Sequence, residues 1–386
     1  MKIAFLTSEY PHEKTGNAGG IGTSIKTLAN ALTSLDHEVR VIVYGQKSDA
    51  IFNDGKIIVH QIKNIKFKGL SWYFTQKKIE KNINQLHFEG LIDVVEAPDW
   101  TGITSFIKPK KCPIVIKLHG SDTYFCYLDK RPVKRWNIFL EKRALQHANG
   151  FISVSKFTAN LTNQLFNLEI PFKILPNGID SNQFNANHST NEYSSGKIVV
   201  LYFGTLIRKK GLLELPHIFN LVHEQNQTIE LHLIGKDSPD IISGNSSTWQ
   251  MMQELFTHNA LEKVNYHGVI PYHEMKNKIA SATICVFPTF AEALPVSWLE
   301  AMAMEKAIVA SNIGWASEII SNHKDGVLIN PKEHQLYANE IVNLINSTEK
   351  RIELSKHARS TIEQEFNIQK IAQSHIEYYN EIIKHD

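Results

Sequence analysis

Short β-branched runs alternate with amphipathic stretches along almost the whole chain. KIAFL opens it, followed by a long polar loop and a helical pattern from Thr23 to Leu35. HEVRVIVYG, IIVHQI, IDVVEA, IVIKLHG and GFISVS read as further strands, with helical segments such as WNIFLEKRALQHA between them. Strands that alternate with helices argue for a parallel sheet wrapped on both faces. The pattern restarts near residue 197. KIVVLYFG, IELHLIG, VNYHG, ICVFP, AIVAS and GVLIN read as strands; KGLLELPHIFNLVHEQN, STWQMMQELFTHN, YHEMKNKIASA, VSWLEAMA and ASEII read as helical, before a long helical tail. Pro216 kinks or delays the first of these helices. The expected architecture is α/β: two Rossmann-like domains in tandem, facing each other across a cleft. The first covers residues 1–180 and the second 198–367. A polar, Asn- and Ser-rich linker, 181–197, joins them, and a C-terminal helix over about 368–386 packs back on the first domain.

Composition narrows this only a little. The chain has 386 residues, 42% hydrophobic and 21% charged, enough for two domains with a core each. No apolar run reaches the ~18–20 residues of a membrane span. The apolar start is too short for a signal peptide, so a cytoplasmic location is expected. Cys112, Cys126 and Cys285 show no CxxC spacing, which suits a reducing compartment and argues against a zinc site. The net charge of +2 conceals an asymmetry: residues 1–180 carry 24 Lys+Arg against 16 Asp+Glu, and residues 181–386 carry 17 against 23. The two halves therefore suit different partners.

Ligands of open α/β sheets bind at the carboxyl ends of strands, near helix N-termini. Two such junctions carry chemistry. After ICVFP the chain reads TFAEALPVSWLE. Pro295 suits a first helical turn, and a helix over Val296–Ala303 would present the amides near Leu294, Val296 and Ser297 to an anion such as a diphosphate. Glu292 precedes that helix end and Glu300 lies one turn in, where a carboxylate can accept bonds from vicinal hydroxyls. Sugar, diphosphate and ribose in a row would require this order of groups, although for two acids at this spacing taken alone an ordinary helix start is the simpler reading. After KIVVLYF comes GTLIRKKG, where Gly204 permits a tight turn and Arg208, Lys209 and Lys210 could neutralise a diphosphate.

Six segments in this order resemble the retaining glycosyltransferase family 4, of GT-B fold: GGIG (19–22), KLHGSD (117–122), FISVS (151–155), PNGID (176–180), GTLIRKKG (204–211) and the Glu-x7-Glu element Glu292–Glu300. The resemblance covers nearly the whole chain. It implies that Glu300 holds the ribose hydroxyls and Glu292 those of the donor sugar. It implies that Lys210 meets the diphosphate, that the amides of Gly19 and Gly20 approach the phosphates or the reacting centre, and that His119 sits beside the donor sugar. The catalytic set is then His119, Glu292 and Lys210, and donor binding adds Gly204, Arg208, Leu294, Val296, Ser297 and Glu300. Two positions depart from the family pattern. Thr205 stands where most members have Arg. Trp315 stands where two adjacent glycines are common, and either reshapes the donor pocket or packs as core.

The resemblance implies retaining transfer from a nucleotide-diphosphate sugar to a hydroxyl of a glycan or lipid-linked acceptor, in bacterial cell-surface polysaccharide synthesis, with no cofactor. The absence of Asp-x-Asp argues against a metal held on the diphosphate, and no nucleic-acid module is recognisable. A nucleotide-sugar epimerase and a non-catalytic nucleotide-sugar-binding subunit are the alternatives. KNIKFKGLSWYFTQKKIEK (63–81), with KRPVKR (130–135), suits peripheral contact with an anionic membrane at its inner face; a solvated lysine face over buried aromatics is the simpler reading. Glu96 and Asp99, in VEAPDW, are candidates for acceptor contact.

Overall fold

The computed structural model describes residues 1–16, 19–185 and 197–385. It has two compact units, Met1–Gly178 with Asn367–Asp386, and Ile179–Phe366. Residues 186–196, most of the expected linker, lie outside the described residues.

The first unit is built on β1 (Lys2–Thr7), β2 (Glu38–Gln46), β3 (Ala50–Asp54), β4 (Ile57–Lys63), β5 (Val94–Pro98), β6 (Ile114–Leu118), β7 (Gly150–Ser153) and β8 (Lys173–Ile174). Their order in the sheet is β3-β4-β2-β1-β5-β6-β7-β8. Every pair is parallel except β3–β4. The helices are α1 (Gly20–Ser34), α2 (Ser71–Phe88), α3 (Asp122–Leu128), α4 (Arg135–Gln146) and α5 (Lys156–Phe166). Ile3 and Phe5 join one hydrophobic cluster while Ala4 and Leu6 join another, because successive strand residues point to opposite faces. Burial on both faces is why β1 reads as an unbroken apolar run. The edge strand β3 carries no such run, because only Phe52 of its five residues is buried. Helix α1 starts at Gly20, three residues before the position expected from its apolar pattern.

The second unit is a six-stranded parallel sheet: β9 (Ile198–Phe203), β10 (Ile229–Ile234), β11 (Val264–Tyr266), β12 (Ile284–Phe287), β13 (Ala307–Ser311) and β14 (Val327–Ile329), in the order β11-β10-β9-β12-β13-β14. Its helices are α6 (Leu215–Gln225), α7 (Thr248–Leu255), α8 (His258–Leu261), α9 (Tyr272–Ser281), α10 (Val296–Ala303), α11 (His334–Asn346) and α12 (Thr348–Glu365). Pro216 stands in the first turn of α6, so it delays the helix and does not kink it. The stretch around ASEII is only a 3-10 turn, Gly314–Glu318, and Trp315 in it is fully buried as core. Strand order reverses between β9 and β12, so the loops that follow these two neighbouring strands meet at the switch point.

Helix α13 (Ile368–His385) belongs to the first unit. Ile368, Ala372, Ile376 and Tyr379 join the cluster that covers one face of β1. Among the described residues, no helix is long and apolar enough to cross a membrane.

Candidate functional site

In the second unit, the two switch-point loops are tied together by backbone. Gly211 has φ 72°, and a Cβ there would stand 1.7 Å from the Pro288 carbonyl oxygen. Only glycine permits that approach. The Lys209 carbonyl then accepts bonds from the amides of Phe290 (2.9 Å) and Ala291 (3.2 Å). These contacts fix the 3-10 turn Arg208–Lys210 against the loop ahead of α10, and Lys210 Nζ comes 2.8 Å from Glu292 Oε1. Lys210 Nζ also hangs over Gly204, where an added Cβ would lie 3.4 Å from it and 3.1 Å from the Tyr202 hydroxyl. Burial, and then the Glu292 charge, hold the Tyr202 phenol well above its usual range; it donates to the Thr205 carbonyl at 3.1 Å.

Helix α10 runs over Val296–Ala303 as expected, with Pro295 one position earlier than expected, at the N-cap. No side chain caps this end, and the amides of Val296 and Ser297 have no hydrogen-bond partner among the described residues. The positive end of the helix is thus available to an anion. Leu294 and Pro295 are buried, while Val296 and Ser297 are half-buried. Glu300, one turn in, is 5% exposed and accepts a 2.6 Å bond from the Tyr272 hydroxyl at the start of α9. Burial pushes the Glu300 carboxyl up to about 7, against the opposing pull of Tyr272 and Lys210. Nothing in the motif of Glu300 points to Tyr272, a partner 28 residues away in the chain.

Arg208 and Lys210 have different surroundings. The Arg208 guanidinium makes a two-pronged pair with Asp240, Nε to Oδ1 at 2.8 Å and an Nη to Oδ2 at 2.7 Å. That pairing holds the Asp240 carboxyl well below its ordinary range. Two of the five guanidinium donors are therefore committed within the unit.

In the first unit, the structure places a carboxylate at the glycine loop. Glu9 Oε1 accepts the Gly22 amide at 2.9 Å, and a Cβ on Gly19 would lie 3.3 Å from both Glu9 oxygens. Gly20 opens α1 and faces open space. His119 follows β6, and its amide donates to Asp99 Oδ1 at 2.8 Å. Burial and then nearby Lys117 push the His119 imidazole down to about 3, so it is neutral near pH 7. Burial raises the Asp99 carboxyl to about 7, and its Oδ2 is buried with no partner among the described residues. Glu96 is not positioned to meet an acceptor. It is 3% exposed, accepts a 2.6 Å bond from Tyr379 and lies 3.8 Å from His375 Nε2, which Lys117 Nζ approaches to 3.3 Å. This polar group lies between the sheet and α13, so the reading of Glu96 as an acceptor contact is corrected. Among the described residues, no group of three or more His, Cys, Asp or Glu side chains is placed to hold a metal ion.

Residues 183–361 match the family described as glycosyl transferases group 1, and residues 18–183 match glycosyltransferase family 4. The chain is 24% identical to an uncharacterized glycosyltransferase of Methanocaldococcus jannaschii, over 98% of each chain. It is 23% identical to a capsular polysaccharide biosynthesis glycosyltransferase of Staphylococcus aureus, over 64% of this chain and 65% of that one. Among solved structures, sucrose-phosphate synthase from Thermosynechococcus elongatus is similar with a TM-score of 0.79 and 16% identity over all of both chains. Anabaena HepE in complex with UDP-glucose is similar with a TM-score of 0.75 and 22% identity, over 99% of this chain and 100% of that one.

Proposed function

The chain belongs to the family 4 glycosyltransferases, with their GT-B fold, and from that premise we propose retaining, metal-independent transfer of a sugar from a nucleoside-diphosphate sugar to a hydroxyl of a glycan or lipid-linked acceptor in polysaccharide synthesis. The carrying observation is the grouping of Lys210, Glu292, the uncapped start of α10 and Glu300 at one switch point. A cation and two free amides suit a diphosphate; an acid on each side suits the hydroxyls of the two sugars attached to it.

On donor binding, Lys210 turns from Glu292 to the diphosphate, and Glu292 accepts hydroxyls of the donor sugar. Glu300 accepts the ribose hydroxyls. Arg208, locked to Asp240, stiffens the turn that carries Lys210. In the reaction the anomeric C–O bond breaks with its electron pair going to the diphosphate. The acceptor oxygen bonds to the same face of the sugar, and its proton passes to a leaving phosphate oxygen. Lys210 and the amides of Val296 and Ser297 stabilise the charge that grows on the leaving group.

A thermal-shift series with UDP, GDP, ADP and their sugars tests the binding half, with UDP-glucose first because HepE was solved with it. A matching nucleotide at ~100 times its dissociation constant adds about 2.7 kcal/mol of stability. Product analysis with and without acceptor tests the rest. A new sugar nucleotide formed without acceptor would make the chain an epimerase, and binding with no turnover would make it a non-catalytic nucleotide-sugar-binding subunit. Transfer is expected to survive EDTA; its loss, and recovery with Mn²⁺, would replace the metal-free scheme.

A further inference from the structure

The aromatic residues of segment 63–81 are not buried beneath its lysines. Phe67 is 54% exposed, and Ile65 and Leu70 beside it are exposed as well. From Phe67 a chain of ring contacts crosses three elements. Phe67 meets Phe74 at 5.0 Å, Phe74 meets Tyr73 at 5.6 Å, and Tyr73 meets Trp72 at 5.8 Å. Trp72 then reaches Trp136 on α4 at 5.2 Å, and Trp136 stacks on Phe139 at 5.2 Å. Trp136 and Phe139 are 48% and 45% exposed. The loop before α2, the start of α2 and one face of α4 therefore form one apolar surface, a large investment for a water-facing site.

Its charge is predominantly positive. Residues 63–79 contain five lysines and no acid, and residues 130–140 contain four Lys or Arg and no acid. Lys77 and Lys78 are paired with Glu80 and Asp49, and Arg131 with Asp122 and Asp129. Lys66, Lys68, Lys134, Arg135 and Lys142 make no ion pair among the described residues. Arg135, Phe139, Lys142 and Arg143 line a groove of about 270 Å³ beside the rings.

We propose that this surface docks on an anionic lipid bilayer, with the tip Phe67–Leu70 and the rings of Trp136 and Phe139 entering the headgroup region and the five unpaired cations facing lipid phosphates. Aromatic rings and apolar tips ringed by Lys and Arg suit the boundary between headgroups and acyl chains. A nucleic acid fits less well. Most of the rings pack edge-on against one another, so few faces are left for bases to stack on. The inference stands apart from the transfer reaction, since partition to vesicles needs neither donor nor acceptor.

Flotation of the full chain with vesicles tests it. Binding is expected to phosphatidylcholine vesicles holding about 30 mol % phosphatidylglycerol and not to phosphatidylcholine alone, and to weaken as salt shortens the Debye length. Lys66→Glu with Lys68→Glu should lower partition at least about tenfold, since each cation adds roughly a fivefold factor near such a surface. Phe67→Ser with Leu70→Ser should also lower it, at unchanged charge. Nucleotide-induced thermal shifts should be unchanged in both variants, which separates lost docking from lost folding. No binding to the anionic vesicles, or equal binding to both vesicles, would overturn the proposal. So would competition by an oligonucleotide together with indifference to Phe67→Ser/Leu70→Ser, because a plain polyanion site would then explain the charge.

Discussion

The Tyr272 hydroxyl donates to Glu300 Oε1 at 2.6 Å, which gives a carboxylate buried one turn into α10 its hydrogen-bond donor from α9. Tyr272 keeps the acid oriented where, on the proposed reading, ribose hydroxyls would reach it. Glu300→Ala should weaken binding of the bare nucleoside diphosphate by at least about tenfold, the loss of a charge-assisted pair of bonds. Calorimetry showing equal affinity would remove Glu300 from the ribose.

Titration of Glu300 makes a second expectation. Its carboxyl rises from 4.5 to about 7 on folding, so between those values the folded chain holds a proton the unfolded chain has lost. Stability should therefore fall as pH rises across that window, by about 3 kcal/mol for a shift of this size. Glu300→Gln should flatten this part of the profile in urea unfolding. Nucleotide affinity should run the other way and rise with pH, because the ionised acid is the better acceptor. A parent profile with the same slope as Glu300→Gln would contradict the assignment.

Lys210→Ala should lower turnover by about 10²–10³-fold, because its ammonium is assigned to charge that develops as the bond breaks. Lys210→Arg should recover part of this, with the loss read mainly in kcat. Wild-type kcat in Lys210→Ala would return the role to Arg208, whose guanidinium is paired with Asp240.

Gly211→Ala should cost about 2–4 kcal/mol of stability, since the added methyl meets the Pro288 carbonyl at 1.7 Å in a left-handed backbone. Activity should fall further than stability explains, because the turn carries Lys210. A urea midpoint equal to that of the parent would show that the two loops are not clamped there.

Lys117→Met should destabilise by about 1–3 kcal/mol, because it removes the buried ammonium that approaches His375 Nε2 and whose charge opposes the burial penalty on Glu96. Adding Glu96→Gln should recover much of the loss, and the double-mutant cycle measures the coupling. Independent, additive losses would mean that the two groups do not share a charge balance under α13.

The sequence by itself determined the architecture. Unbroken apolar strands such as KIAFL and KIVVLYF can be buried on both faces only in a parallel α/β sheet, and their alternation with helices fixes the connections. It also placed Glu292, Val296 and Glu300 around one helix start, since that relation is local. The edge strand β3 escaped because a strand buried on one side alone leaves too few apolar residues to see. Tertiary structure decided what each charge meets. Lys210 faces Glu292 across 82 residues of chain, and Arg208 is committed to Asp240 across 32. Glu96 is turned inward to Tyr379, which lies 283 residues away. Such partners depend on which strands become neighbours, and a carboxylate carries the same letter whether its hydrogen-bond donor will be a ligand or a distant tyrosine.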